Sequence, residues 1–144
     1  MGWAGNGWEP PPIGTRASIS RTFSADDVAL FARISGDWNP LHFDEEFARG
    51  TSFGRLVVQG GLTTGLFNAV VAMQLPGPGS VFLHQEWDYQ APVFIGDTVT
   101  AEVEVIEARV DKPITRLRCV ARREHNTEVL RGECLVYTLA PDSS

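Results

Sequence analysis

The sequence predicts a single α+β domain in which one buried helix is wrapped by an antiparallel sheet. Leu62, Leu66, Phe67, Val70 and Met73 recur at helical spacing in a stretch from Leu62 to Gln74 that is apolar nearly all round, the pattern of a buried helix. Downstream, Val81 to Gln90, Thr98 to Arg109, Ile114 to Arg123 and Glu128 to Leu139 are long runs rich in Val, Leu and aromatic residues, separated by turn residues. Within them Val99, Ala101, Val103 and Val105 alternate with Thr100, Glu102 and Glu104, so one sheet face is buried and the other is wet. A buried helix followed by a meander of strands able to enclose it is an α+β pattern. With 144 residues and no internal repeat, the chain has room for one such core and not for two.

The elements follow in order. Residues 1–12 are rich in Gly and Pro and form a flexible tail, with Trp3 and Trp8 as candidates to dock on the body; the domain proper is residues 13–144. Arg16 to Phe23 reads as a short strand. Ser24 with Asp27 three residues on starts a helix, Val28, Leu30, Phe31 and Ile34 form its apolar face, and Gly36 ends it. Gly61 and Gly65 in the later helix would allow close approach to the sheet. Pro76, Gly77, Pro78 and Gly79 then force a turn before the strands.

The run from Ser35 to His42, SGDWNPLH, carries the chemistry. Gly36 frees the backbone before Asp37, and Pro40 fixes its own φ while pushing Asn39 out of the helical region, so Asp37 and His42 leave one stiffened loop. Two proton-transfer groups of different type, both able to reach one water, are what hydration or dehydration requires. Taken alone, the run is as readily explained by a turn cap and an ordinary histidine. Gly60 and Gly61 are also open to two readings. A helix N-terminus offers unpaired N–H groups to an oxyanion, but by residues alone a glycine-rich turn before a packed helix is the preferred explanation.

Those segments together resemble the MaoC-like, R-specific enoyl-CoA hydratases. Gly36 to His42, GDWNPLH, matches the family's signature. Phe53 to Phe67, FGRLVVQGGLTTGLF, looks like the segment that opens its central helix, and Leu75 to Val105 resembles its first long strands with the Pro-Val-Phe-x-Gly-Asp turn between them. The likeness extends over about residues 13–139. It implies a hot-dog fold with the helix from Leu62 at its centre, and it reverses the preference at Gly60, where the family places the oxyanion-binding N–H. It also implies a homodimer that closes exposed sheet edges. Gln59 departs from the pattern, since many relatives place His before the glycine, which bears on substrate preference.

The resulting expectation is a hydro-lyase that adds water to a trans-2-enoyl-CoA to give the (R)-3-hydroxyacyl-CoA. Asp37 and His42 act as acid and base, Gly60 forms the oxyanion hole, Ser35 and Asn39 orient the pair, and Gly61 and Leu62 contact substrate. No metal or redox cofactor is implied, coenzyme A being part of the substrate. Three alternatives share parts of this pattern: an acyl-carrier-protein dehydratase with a basic docking surface, a thioesterase, for which the loop is a poor match, and a non-catalytic acyl-thioester-binding module.

The remaining residues narrow the classes. A formal net charge of −6 argues against a nucleic-acid partner. No apolar run approaches the ~18 residues of a membrane span, and the N-terminus lacks a signal pattern, so a soluble cytoplasmic protein is expected. Cys119 and Cys134 fall at inward strand positions, as small hydrophobes rather than metal ligands or a disulfide. Arg116, Arg118 and Arg122 share a strand face, with Arg123 beside them; a solvated face is preferred there over a site for coenzyme A phosphates. His84 and His125 lack a motif.

Overall fold

The computed structural model describes residues 7–141. In chain order these form β1 (Arg16–Thr22), α1 (Ala25–Ser35), α2 (Glu45–Arg49), α3 (Gly60–Met73), β2 (Ser80–Tyr89), β3 (Thr98–Ala108), β4 (Ile114–Arg123) and β5 (Thr127–Thr138). Single 3₁₀ turns lie at Pro40–His42 and Glu124–Asn126. The five strands make one sheet in the order β1-β3-β4-β5-β2, each neighbouring pair antiparallel. Only β3, β4 and β5 form the expected meander. β1 occupies one side of β3, with Ala17 opposite Val103, and β4 occupies the other, with Cys119 opposite Val103. No edge of β3 is left for β2, which pairs with β5 instead, so the segment from Gln90 to Asp97 is a crossover and not a hairpin turn.

α3 touches β3 and also both edge strands, β1 and β2, so the sheet curls around the helix in the hot-dog arrangement. Leu66, Phe67, Val70 and Val71 of α3 are buried with Val99, Val103, Leu117 and Leu130 of the sheet. Each such side chain contributes about 1.5–3 kcal/mol when fully removed from water. Phe67 stacks on Trp87 with ring centroids 5.0 Å apart. The helix begins at Gly60 rather than Leu62, and it is buried on one face rather than all round: Met73 is 72% exposed. Gly61 meets α1 and not the sheet, with its Cα against the Phe31 ring, while the space beside Gly65 is open.

α1 is bounded as its sequence predicts. Ser24 Oγ accepts from the Asp27 N–H, and the Asp27 carboxylate accepts from the Ser24 N–H at 3.0 Å, a reciprocal cap. Arg21 donates to Asp27 at 2.7 Å, and this bond, followed by that from Ser24, holds the Asp27 carboxyl below its ordinary range. Gly36 closes the helix in the left-handed region at φ 82°, where glycine carries no Cβ penalty. The buried stripe is Val28 and Ala32, with Phe31 half-buried, whereas Leu30 and Ile34 face outward. Helical spacing alone does not say which of two apolar stripes meets the body. The short helix α2, capped by Asp44 on the Phe47 N–H, is not anticipated by the sequence reading.

The expected docking of Trp3 lies outside the described residues; Trp8 donates its indole N–H to the Arg109 carbonyl at 2.8 Å. On the outer sheet face Arg116 pairs with Glu107 and Glu133, and Arg118 with Glu104, at 3.4 to 3.6 Å. These exposed pairs are the solvated face preferred from sequence, each worth about 0–1 kcal/mol. Cys119 and Cys134 are buried free thiols with sulfurs 3.7 Å apart. The contact with Cys134, reinforced by burial, pushes the Cys119 thiol up, so it stays protonated. His84 pairs with Glu86 at 3.3 Å, and His125 sits at φ 62° in the turn before β5. Among the described residues, no helix is long and apolar enough to cross a membrane.

Candidate active site

The loop after α1 is knit by its own side chains. Ser35 Oγ donates to the Phe31 carbonyl at 2.7 Å and accepts from the Asp37 N–H at 3.1 Å. Asp37 Oδ1 accepts from the Asn39 N–H, and Asn39 Oδ1 from the Leu41 N–H, two successive turns of the kind short polar side chains favour. Pro40 then opens the 3₁₀ turn that ends at His42. Ser35 and Asn39 thus lie on either side of Asp37, bonded to the loop backbone.

His42 is 8% exposed, and its Nδ1 lies 2.7 Å from the Val57 carbonyl oxygen. A carbonyl only accepts, so Nδ1 carries a proton and all proton exchange at this imidazole runs through Nε2. Nε2 faces Asp37 Oδ2 at 3.6 Å, and the Asp37 side chain is 40% accessible. That separation exceeds a direct hydrogen bond and is one that a shared water can bridge.

The segment preceding α3 joins this loop to the helix. The Val57 N–H donates to the Leu41 carbonyl, the Val58 N–H to the Val93 carbonyl at 2.7 Å, and Gln59 Nε2 to the Val28 carbonyl at 2.9 Å. Gln59 is 1% exposed, so the residue that departs from the family pattern serves as a buried tie between α3 and α1. Gly60 and Gly61 are the first residues of α3, whose leading amides have no acceptor within the helix.

A cavity of about 310 Å³ opens beside Gly60, walled largely by apolar side chains including Val57, Val58, Val93 and Leu130, with Thr63 and Tyr89 also lining it. Asp37 and His42 are not part of the lining; His42 is one residue away from it, since Val57 lines the cavity and its carbonyl holds His42, and Asp37 lies behind His42. Gly61 and Leu62 do not line the cavity either. A Cβ on Gly61 would come within 2.2 Å of the Phe31 ring, and Leu62 packs against the core. Sequence reading did not single out Thr63, Tyr89 or the Val57 carbonyl. Thr63 follows Gly60 at helical spacing and could have been found; a backbone acceptor and a residue on a distant strand leave no such signal. Among the described residues, no three His, Cys, Asp or Glu side chains come together as metal ligands.

An acid–base pair set beside a helix N-terminus and an apolar cavity in a hot-dog domain is equipped to handle an acyl thioester. The chain belongs to the MaoC-like domain family, which matches residues 11–129. It is 44% identical over 124 residues to an (R)-specific enoyl-CoA hydratase of Aeromonas caviae, covering 86% of this chain and 92% of that one. A mitochondrial 3-hydroxyacyl-[acyl-carrier-protein] dehydratase of Arabidopsis thaliana is 34% identical, over 82% of this chain and 71% of its own. The solved structure of the (R)-hydratase from A. caviae involved in PHA biosynthesis superposes with a TM-score of 0.86 at 43% identity, covering 90% of this chain and 98% of that one.

Proposed function

We propose that this protein is an (R)-specific enoyl-CoA hydratase, a hydro-lyase that reversibly adds water to a trans-2-enoyl-CoA. The observation that carries the reading is the imidazole of His42, locked through Nδ1 on the Val57 carbonyl with Nε2 turned to Asp37 at 3.6 Å. Water bridging that gap attacks the β-carbon. Its oxygen forms the new C–O bond as its proton passes to one member of the pair, and the π electrons move onto the thioester oxygen. The enolate so formed collapses as the α-carbon takes a proton from the other member, so the pair ends the cycle with the protons it began with. The Gly60 N–H receives the transient oxyanion. Ser35 and Asn39 hold Asp37 in place, and no metal or redox cofactor takes part.

Carrier-protein substrates are the alternative, given the Arabidopsis relative. The net charge of −6 disfavours an acidic carrier, and the relative at 44% identity is named for coenzyme A substrates. The two free, buried thiols fit a reducing compartment, consistent with a cytoplasmic enzyme.

Since Asp37 and His42 act on one water from one loop, the hydroxyl and the new α-proton reach the same face of the double bond. Crotonyl-CoA in deuterated water is expected to give the syn product, read from the coupling between the C2 and C3 protons. An anti product would sink the shared-water mechanism. Absence of any loss of enoyl absorbance with crotonyl-, octenoyl- and longer enoyl-CoA would sink the hydratase reading itself. A dehydrogenase specific for (S)-3-hydroxyacyl-CoA should leave the product untouched.

The working form is a homodimer. β2 is a ten-residue edge strand whose Val81 and Leu83 are about half exposed, the kind of edge that proteins cover. Light scattering at micromolar concentration is expected to give twice the 15.8 kDa of one chain, and a monomer mass would refute this.

A further inference from the structure

The cavity beside Gly60 is walled mainly by apolar side chains, with Thr63, Tyr89 and Gln90 as its polar lining residues. There Thr63 and Tyr89 bring two hydroxyls to the first turn of α3, and neither hydroxyl has a hydrogen-bond partner among the described residues. Thr63 is 3% exposed overall and lines this cavity. Tyr89 reaches the same place from the end of β2. A Cβ built on Gly60 would lie 2.7 Å from Tyr89 Cε1 and 3.3 Å from its hydroxyl oxygen. In a helix both the Cα–Cβ direction and the leading N–H groups point back toward the N-terminus. The Tyr89 hydroxyl thus stands close to Gly60, whose leading N–H has no acceptor within the helix. Only glycine leaves room for the tyrosine ring to come so close.

We infer that Tyr89 is a further catalytic residue: its hydroxyl donates a second hydrogen bond to the thioester oxygen that the Gly60 N–H also binds. This rests on the hydratase reading above and deepens it. A single backbone amide gives one bond to an oxygen that acquires negative charge as water adds. A phenol beside it supplies the second bond, aimed at the charge as it develops. Tyr89 is 61% exposed, at the open lip of the cavity, so a bound thioester covers the hydroxyl and strengthens that bond by excluding water.

Tyr89→Phe deletes the hydroxyl and keeps the ring that packs on Gly60. With crotonyl-CoA, kcat is expected to fall ~10- to 100-fold, at or below the usual loss for one oxyanion donor, with KM changed less than about 3-fold and the melting temperature unchanged. The carbonyl stretch gives an independent reading. In the Asp37→Asn background, where turnover is expected to be slowed by on the order of 10²-fold or more, difference Raman of crotonyl-CoA recorded soon after mixing should place that stretch at lower frequency with Tyr89 than after Tyr89→Phe. An unchanged kcat, or a rise in KM alone with an unshifted stretch, overturns the assignment while leaving the hydratase reading intact. Parent protein that hydrates no enoyl-CoA overturns both.

Discussion

Asp37→Asn is expected to lower kcat on crotonyl-CoA by on the order of 10²-fold or more, the usual scale for a positioned acid or base, with cooperative unfolding preserved. The amide that replaces the carboxylate still offers an oxygen to the Asn39 N–H, which Asp37 Oδ1 now accepts at 3.2 Å, so the loop keeps its shape. His42→Ala should cost as much turnover, and it should also cost stability. The imidazole is buried and is the partner of the Val57 carbonyl, so its removal leaves a buried acceptor unpaired, at about 1–3 kcal/mol. Steady-state kinetics together with thermal melts distinguish the two variants. Near-normal turnover in folded Asp37→Asn would remove that residue from the mechanism, whereas His42→Ala is informative only when its melt shows that it folds.

The largest effect on stability is expected from a glycine far from the chemistry. Gly132 of β5 lies opposite Trp87 of β2, and a Cβ added there would fall 1.8 Å from the Glu86 carbonyl oxygen and 3.0 Å from the Trp87 ring. A backbone carbonyl within a paired strand has nowhere to go, so Gly132→Ala must force β2 away from β5. We expect a loss of roughly 3 kcal/mol or more, within the range of overpacked or ladder-breaking substitutions, and a fall in Tm of about 10 °C. Because β2 ends in Tyr89, the same variant should lose activity in proportion to the displaced ring. A melt within about 2 °C of the parent would mean that the ladder yields more easily than this close contact implies.

Much of the molecule is legible in the sequence because it is local. Asp37 and His42 leave one loop whose punctuation, Gly36 and Pro40, stands beside them, and the reciprocal cap of Ser24 and Asp27 is a matter of three residues. The alternation of Val99, Ala101, Val103 and Val105 assigns the strand and its inward face, since side chains on a strand alternate whatever lies next to them. What could not be read is what depends on a distant neighbour. β2 sits beside β5 because β1 and β4 already occupy both sides of β3, a matter of which edges remain free. Leu30 and Ile34 look like a core stripe and face outward, because α1 sets its other stripe on the body.

The candidate site divides along the same line. Its acid and base belong to one short segment, and their spacing was visible in the sequence. The anchor of His42 is a carbonyl at Val57, and every residue carries a carbonyl. The tie of Gln59 to Val28 and the hydroxyl of Tyr89 over Gly60 exist only once a helix, a strand and a loop have been packed together. Short-range conformational preference therefore selects the candidate acid and base and the elements that carry them. Their orientation comes from long-range packing and hydrogen bonding, because the partners that hold them are distant in the chain and become neighbours only when the core excludes water.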